Sequence, residues 1–187
     1  MHDLVIRGGL IIDGTGRPAY QGDVALDEST IVQVGGKAGA GHREIRADGA
    51  VVTPGFVDIH THYDAQLWWD PYLSPSSWNG VTSVVMGNCG IGFAPARPSD
   101  REWLMGLMET VEEIPRDSLR QGIRWQWESF PEFMSALDRS PLAIDIGVQV
   151  PHAAVRTYVM GERGAANAPA TPAELDRMST IVRDGVA

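Results

Sequence analysis

The sequence is poor in cysteine: Cys89 is the single cysteine among 187 residues. An intrachain disulfide is therefore excluded, and a reducing, cytoplasmic setting is favoured. The sequence also lacks an apolar run of about 18 residues, the length that a membrane-spanning helix needs. Its N-terminus lacks the basic segment, apolar core and cleavage site of a secretory signal. We therefore expect a cytoplasmic protein that does not contact membranes.

Basic residues are also few. Lys and Arg together number 15 against 24 Asp and Glu, so the formal net charge is −9. Because an acidic surface repels phosphate backbones, this balance argues against nucleic-acid binding. Hydrophobic residues at 43% and charged residues at 21% are ordinary proportions for a soluble globular domain.

The first informative motif is a pair of histidines at the end of an apolar run. Residues 54–64 read PGFVDIHTHYD, and a carboxylate, Asp64, follows His60 and His62. Side chains at positions i and i+2 of a strand point to the same side, so two imidazoles would face one point, as half of a metal site. The alternative is a buried strand whose histidines hydrogen-bond to neighbouring carbonyl groups. The position at a strand end favours the metal, because barrel enzymes carry their chemistry there.

Cys89 follows a second strand-like segment. The run 80–86, GVTSVVM, is typical of a buried parallel strand, and small residues surround the cysteine in the segment 87–90, GNCG. A lone cysteine is more often an inert core residue. Successive parallel strands place their ends side by side, however, so Cys89 is expected beside the histidine pair. The sequence thus predicts that His60, His62 and Cys89 are metal ligands.

These motifs resemble those of a known family. Residues 55–64, GFVDIHTHYD, resemble the first barrel strand of the amidohydrolase superfamily. Residues 80–95, GVTSVVMGNCGIGFAP, resemble the second strand and following loop of the D-aminoacylases, or N-acyl-D-amino-acid deacylases, in which the cysteine of this turn is a zinc ligand. Later blocks are similar to the same group: GIRWQWESFPEFMSALD, HAAVRTYVMG and ATPAELDRM.

The resemblance implies Zn²⁺-dependent hydrolysis of the linear amide bond of a small-molecule N-acyl-D-amino acid. It assigns His60, His62 and Cys89 to the metal. In the family, two histidines from strands 5 and 6 join the cysteine at the tighter metal site, and the His-x-His pair contributes to the same centre or to a second, weaker site. An aspartate at the end of strand 8 is the general base. No catalytic residue is therefore expected within this chain, and the general base is expected beyond Ala187. The expected partners are the missing C-terminal portion or a second copy of the chain.

Two other interpretations stay open. The first is a cyclic amidohydrolase of the hydantoinase or dihydroorotase type. Those enzymes usually bridge two metals with a carboxylated lysine, so Cys89 argues against this interpretation. The second is a non-catalytic product of a truncated or split gene, acting as a subunit.

The expected fold class is α/β, namely the N-terminal part of an amidohydrolase (β/α)₈ TIM barrel preceded by part of a small β-sandwich. Residues 1–53 are assigned to the sandwich segment, with strands predicted at 4–12, 23–26 and 31–34. Residues 54–187, where strands and helices alternate, are assigned to the first three β/α units. A complete barrel needs about 250 residues. The barrel is therefore expected to be incomplete in this chain.

The elements of the second segment are predicted from periodicity and capping. Barrel strands are predicted at about 55–60, 81–86 and 142–150. A helix is predicted at about 100–112, followed by an irregular stretch through Trp125 and Trp127. Ser129, with Glu132 at the capping-box position, predicts the start of another helix. The start of the last helix is predicted from Thr171 as the N-cap residue, Pro172 at position N1 and Glu174 at position N3.

A few more side chains have candidate roles. His152, just past the third strand, could contact substrate, but a structural role is favoured. Asp64 could orient a ligating histidine or cap a turn. Trp68, Trp69 and Trp78 could line an acyl pocket, but packing beneath the loop after the first strand is favoured.

Overall fold

The computed structural model describes residues 1–186 and divides into two compact units, Met1–Gly55 and the chain from Phe56 onward. The first unit is a five-stranded sheet. Its strands are β1 (His2–Ile11), β2 (Tyr20–Asp27), β3 (Thr30–Val34), β4 (Gly41–Arg46) and β5 (Val51–Val52).

The sheet of the first unit has the order β3-β2-β1-β4, and β5 also pairs with β1. β1 runs antiparallel to β2 and parallel to β4 and β5. The three strands predicted from the sequence correspond to β1, β2 and β3, whereas β4 and β5 were not predicted. All of β4 after Gly41 is exposed, so it carries no alternation of apolar and polar residues that would indicate a strand.

A buried carboxylate joins three parts of the first unit. Asp23 on β2 accepts hydrogen bonds from the backbone N–H groups of Gly8 and Ala38 and from the Arg7 guanidinium, each at 2.9 Å. The two backbone hydrogen bonds, followed by the one from Arg7, hold the pKa of Asp23 below its usual value. The side chain therefore stabilises the sheet as an anion.

Within residues 56–186, the second unit contains a three-stranded parallel sheet and six α-helices. The strands, in the spatial order β6-β7-β8, are β6 (Phe56–Asp58), β7 (Val81–Met86) and β8 (Asp145–Val148). The helices are α1 (Arg101–Glu112), α2 (Arg116–Gly122), α3 (Phe130–Asp138), α4 (His152–Met160), α5 (Glu162–Ala165) and α6 (Pro172–Val186).

Two of the three predicted barrel strands are shorter than expected. The predicted strand 55–60 is confined to Phe56–Asp58, and 142–150 to Asp145–Val148. Phe56 and Val57 of β6 and the following Ile59 are 60%, 61% and 71% exposed, which does not fit the buried strand of the alternative interpretation. β6 pairs only with β7 within residues 1–186, so its other edge is left without a neighbour.

The helix starts follow the predicted capping. Ser129 and Glu132 form a reciprocal capping box at the start of α3. At the start of α6, the backbone N–H of Glu174 donates to Thr171 Oγ1, and that of Thr171 donates to the Glu174 carboxylate. Helix α2 was not predicted, because it has only one buried residue, Leu119, and no periodic apolar face.

Several aromatic side chains pack together within the hydrophobic core of the second unit. Trp68 stacks on Trp127 with ring centroids 4.7 Å apart, and Trp127 Nε1 donates to the backbone carbonyl of Phe93 at 2.7 Å. The prediction of packing is correct for Trp68, but Trp69 and Trp78 are 42% and 76% exposed. Within residues 1–186, no helix has both the length and the hydropathy needed to cross a membrane.

Candidate metal centre

The three predicted ligands come together at the carboxyl ends of two neighbouring strands. His60 and His62 follow β6, and Cys89 follows β7. One ring nitrogen of each histidine and the Cys89 sulfur all lie within 4.8 Å of one another. The Cys89 Sγ and His60 Nε2 atoms are 3.4 Å apart. Two ligands bound tetrahedrally to one zinc ion lie about 3.5 Å apart, so this spacing suits a shared metal.

His60 and His62 are not part of the ladder of β6, contrary to the expectation, because the strand ends at Asp58. The chain nevertheless stays extended alongside β7. The backbone N–H of Thr61, between the two histidines, donates to the carbonyl of Val85 at 2.9 Å. This hydrogen bond and one from the Thr61 hydroxyl to the same carbonyl hold the segment between the two histidines against β7.

The turn that carries Cys89 has an unusual backbone. Cys89 has a φ of +55°, between Gly87 at +80° and Gly90 at +73°. A Cβ atom at Gly87 would lie 2.4 Å from the carbonyl oxygen of Gln149, so only glycine fits there. The left-handed conformation costs a non-glycine residue about 1 kcal/mol. Cys89 is exposed in this turn, so it is not the buried, inert cysteine of the alternative interpretation.

The histidine rings have the free nitrogen atoms that metal binding requires. Nδ1 of His62 is buried and has no hydrogen-bond partner. Among residues 1–186, neither His60 nor His62 donates from its ring to a backbone carbonyl, which removes the support for the structural alternative. A buried nitrogen without a partner is costly. Two imidazoles and a thiolate are donors that zinc accepts, so the residues fit this metal.

Asp64 does not orient a histidine. Its side chain is 1% exposed, and Oδ2 accepts a hydrogen bond from the backbone N–H of Gly87 at 3.3 Å. Burial raises the pKa of Asp64 to about 7. Of the two roles considered, capping a turn is the closer description, since the carboxyl group joins the loop after His62 to the turn before Cys89.

Asn88 is a buried residue that the sequence analysis overlooked. Its Nδ2 atom donates to the carbonyl groups of Thr61 and Val85, and its Oδ1 atom accepts from Gln149 Nε2. The only signal in the sequence was a polar side chain beside Cys89 in a turn of small residues. Nothing in that pattern indicates burial.

His152 is the first residue of α4 and is exposed. It lies next to the turn that carries Cys89, because a Cβ atom at Gly90 would be 3.2 Å from the His152 Cβ. It is not among the three residues whose ligand atoms converge.

A polar cleft of about 260 Å³ opens beside His62. The residues that border it include Asp58, Thr61, Gln66, Ser76 and Glu112. Its two carboxylates would repel an anionic group. The cleft therefore suits water or a neutral, hydrogen-bonding part of a ligand.

Both the sequence and the structure of this chain are similar to those of D-aminoacylases. D-aminoacylase of Alcaligenes xylosoxydans xylosoxydans is 32% identical over 186 residues, which cover 99% of this chain and 36% of that protein. The crystal structure of a D-aminoacylase described as defining a novel subset of amidohydrolases matches with a TM-score of 0.82 and 32% identity, covering 100% of this chain and 36% of the other.

A second solved structure is N-acyl-D-glutamate deacylase of Bordetella bronchiseptica, complexed with zinc and a phosphonate that mimics the tetrahedral intermediate. It matches with a TM-score of 0.77 and 29% identity, covering 98% of this chain and 36% of the other. The chain thus spans about a third of the length of the relatives it matches. The model of the amidohydrolase family matches residues 43–187. The chain belongs to the amidohydrolase family.

Proposed function

We propose that this chain contributes part of the metal site of a zinc-dependent hydrolase that cleaves the linear amide bond of N-acyl-D-amino acids. The observation that carries the proposal is the convergence of His60, His62 and Cys89 at the ends of β6 and β7. The similarity to D-aminoacylase and to a zinc-containing N-acyl-D-glutamate deacylase supports the choice of metal and substrate.

We assign residues 1–53 to a β-sandwich segment and residues 54–187 to the first three β/α units of a (β/α)₈ barrel. The parallel order β6-β7-β8 and the exposed apolar side chains of β6 support this assignment, since a further strand would cover them. The relatives are about three times longer, so the remaining metal ligands and the general base are assigned to segments outside residues 1–187.

The side chains of this site have separate tasks. Bound zinc would polarise the scissile carbonyl and lower the pKa of water. Cys89, as a thiolate, would offset part of the metal charge, and His60 and His62 would add neutral nitrogen donors. The carboxylates of Asp58 and Glu112 border the cleft beside His62 and disfavour the substrate carboxylate there, so that group is bound elsewhere.

Metal binding by the chain tests the site directly. Co²⁺ replaces zinc as a spectroscopic probe, and a thiolate ligand gives a charge-transfer band in the near ultraviolet. The band is expected on titration of residues 1–187 and is expected to be absent in Cys89→Ala. Absence of the band in the gene product that contains residues 1–187 together with any continuous coding sequence would remove Cys89 from the metal site and overturn the proposal.

The substrate class needs a second experiment on the gene product that contains residues 1–187 together with any continuous coding sequence. We expect release of free amino acid from N-acetyl-D-methionine, loss of release on chelation and recovery with Zn²⁺. N-acetyl-L-methionine and a hydantoin are the comparison substrates. Hydrolysis of the hydantoin without hydrolysis of the D-amide would favour the cyclic amidohydrolase instead.

Residues 1–187 alone are expected to be inactive in the same assay, because the proposed base and two metal ligands are outside them. If residues 1–187 released amino acid at a rate within about tenfold of that of the longer product, the assignment of the base and two metal ligands to other segments would be wrong. The loss of each such group should lower the rate by orders of magnitude.

A further inference from the structure

Asn88 forms hydrogen bonds to each of the three segments around the candidate metal centre. It is 6% exposed and immediately precedes Cys89. Its Nδ2 atom donates to the carbonyl oxygen of Thr61 at 3.1 Å and to that of Val85 at 2.8 Å. Its Oδ1 atom accepts from Nε2 of Gln149 at 3.0 Å. One side chain therefore connects the ends of all three strands of the parallel sheet.

The partners of Asn88 belong to the segments that carry the ligands. Thr61 stands between His60 and His62. Its backbone N–H and its hydroxyl group both donate to the Val85 carbonyl at 2.9 Å, the same carbonyl that accepts from Asn88. The histidine pair and the cysteine turn are thus joined through one shared acceptor and one amide side chain.

Two backbone carbonyls fix the orientation of the Asn88 amide. The carbonyl oxygens of Thr61 and Val85 can only accept, so the atom of Asn88 that faces them must be the nitrogen. The Asn88 oxygen then faces Gln149, whose amide nitrogen donates to it. Were the Asn88 amide reversed, its oxygen would meet the two carbonyl oxygens.

We propose that Asn88, oriented by the carbonyl groups of Thr61 and Val85, is a positioning residue that sets the distance between the Cys89 thiol and the two histidines. This inference rests on the proposed metal site. Cys89 has a left-handed backbone and is exposed, so its own packing does not hold it in place. Ligand bonds tolerate deviations of only about 0.2 Å. Partners that orient ligands in this way typically change metal affinity by about 10- to 100-fold when removed.

The test compares Asn88→Ala, Asn88→Asp and Gln149→Ala with the unsubstituted chain. Asn88→Asp retains the shape and the acceptor for Gln149 but replaces both donors with oxygen facing carbonyl groups. Gln149 is exposed, so Gln149→Ala removes the donor to Asn88 Oδ1 without opening the core. Asp100→Ala is the matched control, because Asp100 is a buried polar residue that accepts hydrogen bonds from Arg97 N and Ser99 Oγ, away from the three ligands.

Three quantities are measured for each variant: the Co²⁺ dissociation constant from the thiolate band, the melting temperature, and the rate at which iodoacetamide alkylates the metal-free protein. Cys89 is the only cysteine, so the last rate reports its position without any metal. We expect both Asn88 variants to bind Co²⁺ about 10- to 100-fold more weakly, Gln149→Ala to bind severalfold more weakly, and alkylation to change in all three. The control should lower the melting temperature only.

A purely structural role predicts a different pattern. Co²⁺ affinity and alkylation rates within twofold of the unsubstituted chain, with a melting temperature lowered as in Asp100→Ala, would overturn the positioning role. If Asn88→Ala fails to fold, an unchanged Co²⁺ affinity of Gln149→Ala would likewise overturn the positioning role. Absence of the thiolate band in the longer gene product would instead refute the metal site itself, and the positioning role with it.

Discussion

Substituting asparagine for Asp64 is expected to stabilise the protein at neutral and alkaline pH. The carboxyl group is 1% exposed and has one partner outside its own residue, the backbone N–H of Gly87. Burial raises its pKa from 3.8 to about 7. In the unfolded chain, the same group ionises near 3.8. The folded state therefore carries more protons at Asp64 between pH 4 and pH 7, so its stability falls as pH rises through that window.

The magnitude follows from the difference between the two pKa values. About three pKa units at 1.36 kcal/mol each give a loss of about 4 kcal/mol, complete near pH 8. An asparagine cannot ionise, and its amide oxygen can still accept from Gly87. Relative to the natural chain, Asp64→Asn should therefore gain about 4 kcal/mol between pH 4 and pH 8.

The assay is urea unfolding of metal-free protein from pH 4 to pH 8, followed by tryptophan fluorescence. All six tryptophans lie in the second unit, as Asp64 does, so they report the relevant structure. Contributions from the other ionisable groups cancel in the difference between the two proteins. Asp138→Asn is the control, because this aspartate is exposed at the end of α3.

The result that would refute the reasoning is an equal dependence on pH in the natural chain and in Asp64→Asn. It would mean that Asp64 ionises as easily in the folded protein as in the unfolded one. A variant that is less stable at pH 8 than the natural chain would point to the same conclusion, since the charge would then be stabilised through Gly87.

Three further predictions concern the metal, the first unit and a helix start. Cys89→Ala should retain less zinc than His60→Ala after dialysis against a mild chelator, because a thiolate is charged and is a softer donor than imidazole. Equal zinc retention by Cys89→Ala and the natural chain would exclude Cys89 as a ligand. Asp23→Ala should lose about 1–3 kcal/mol of unfolding free energy, because it leaves the backbone N–H groups of Gly8 and Ala38 without their acceptor. Urea unfolding followed by far-ultraviolet circular dichroism measures this loss, and a change below 1 kcal/mol would contradict it. Ser129→Ala should lower the unfolding free energy by about 1 kcal/mol through the capping box of α3; Ser135→Ala, on the exposed side of that helix, should change it less.

Features that depend on a few neighbouring residues were predictable from the sequence. The capping boxes at Ser129 and Thr171 were correctly predicted, because the capping interaction joins residues only three positions apart. The convergence of the three candidate ligands was also predictable. His60 and His62 are two positions apart, and neighbouring parallel strands bring the end of β7 beside them.

Features that depend on contacts between residues distant in the sequence were not predictable, because only the tertiary structure determines those contacts. The short β6, the exposed Trp78 and the unpredicted β4 all depend on the presence or absence of a neighbouring element, which local periodicity does not contain. Asp64 and Asn88 are common turn residues in the sequence. Their burial arises only when the loop after β6 packs on the turn after β7.

The sequence by itself determined the donor atoms of the candidate metal centre, because these atoms belong to particular residue types at a particular spacing. The tertiary structure decided how that centre is held. The distance between Cys89 and His60, the pKa of Asp64 and the orientation of the Asn88 amide depend on hydrogen bonds between residues 23 to 61 positions apart. The physical reason is that burial and hydrogen-bond geometry exist only after these segments have packed together.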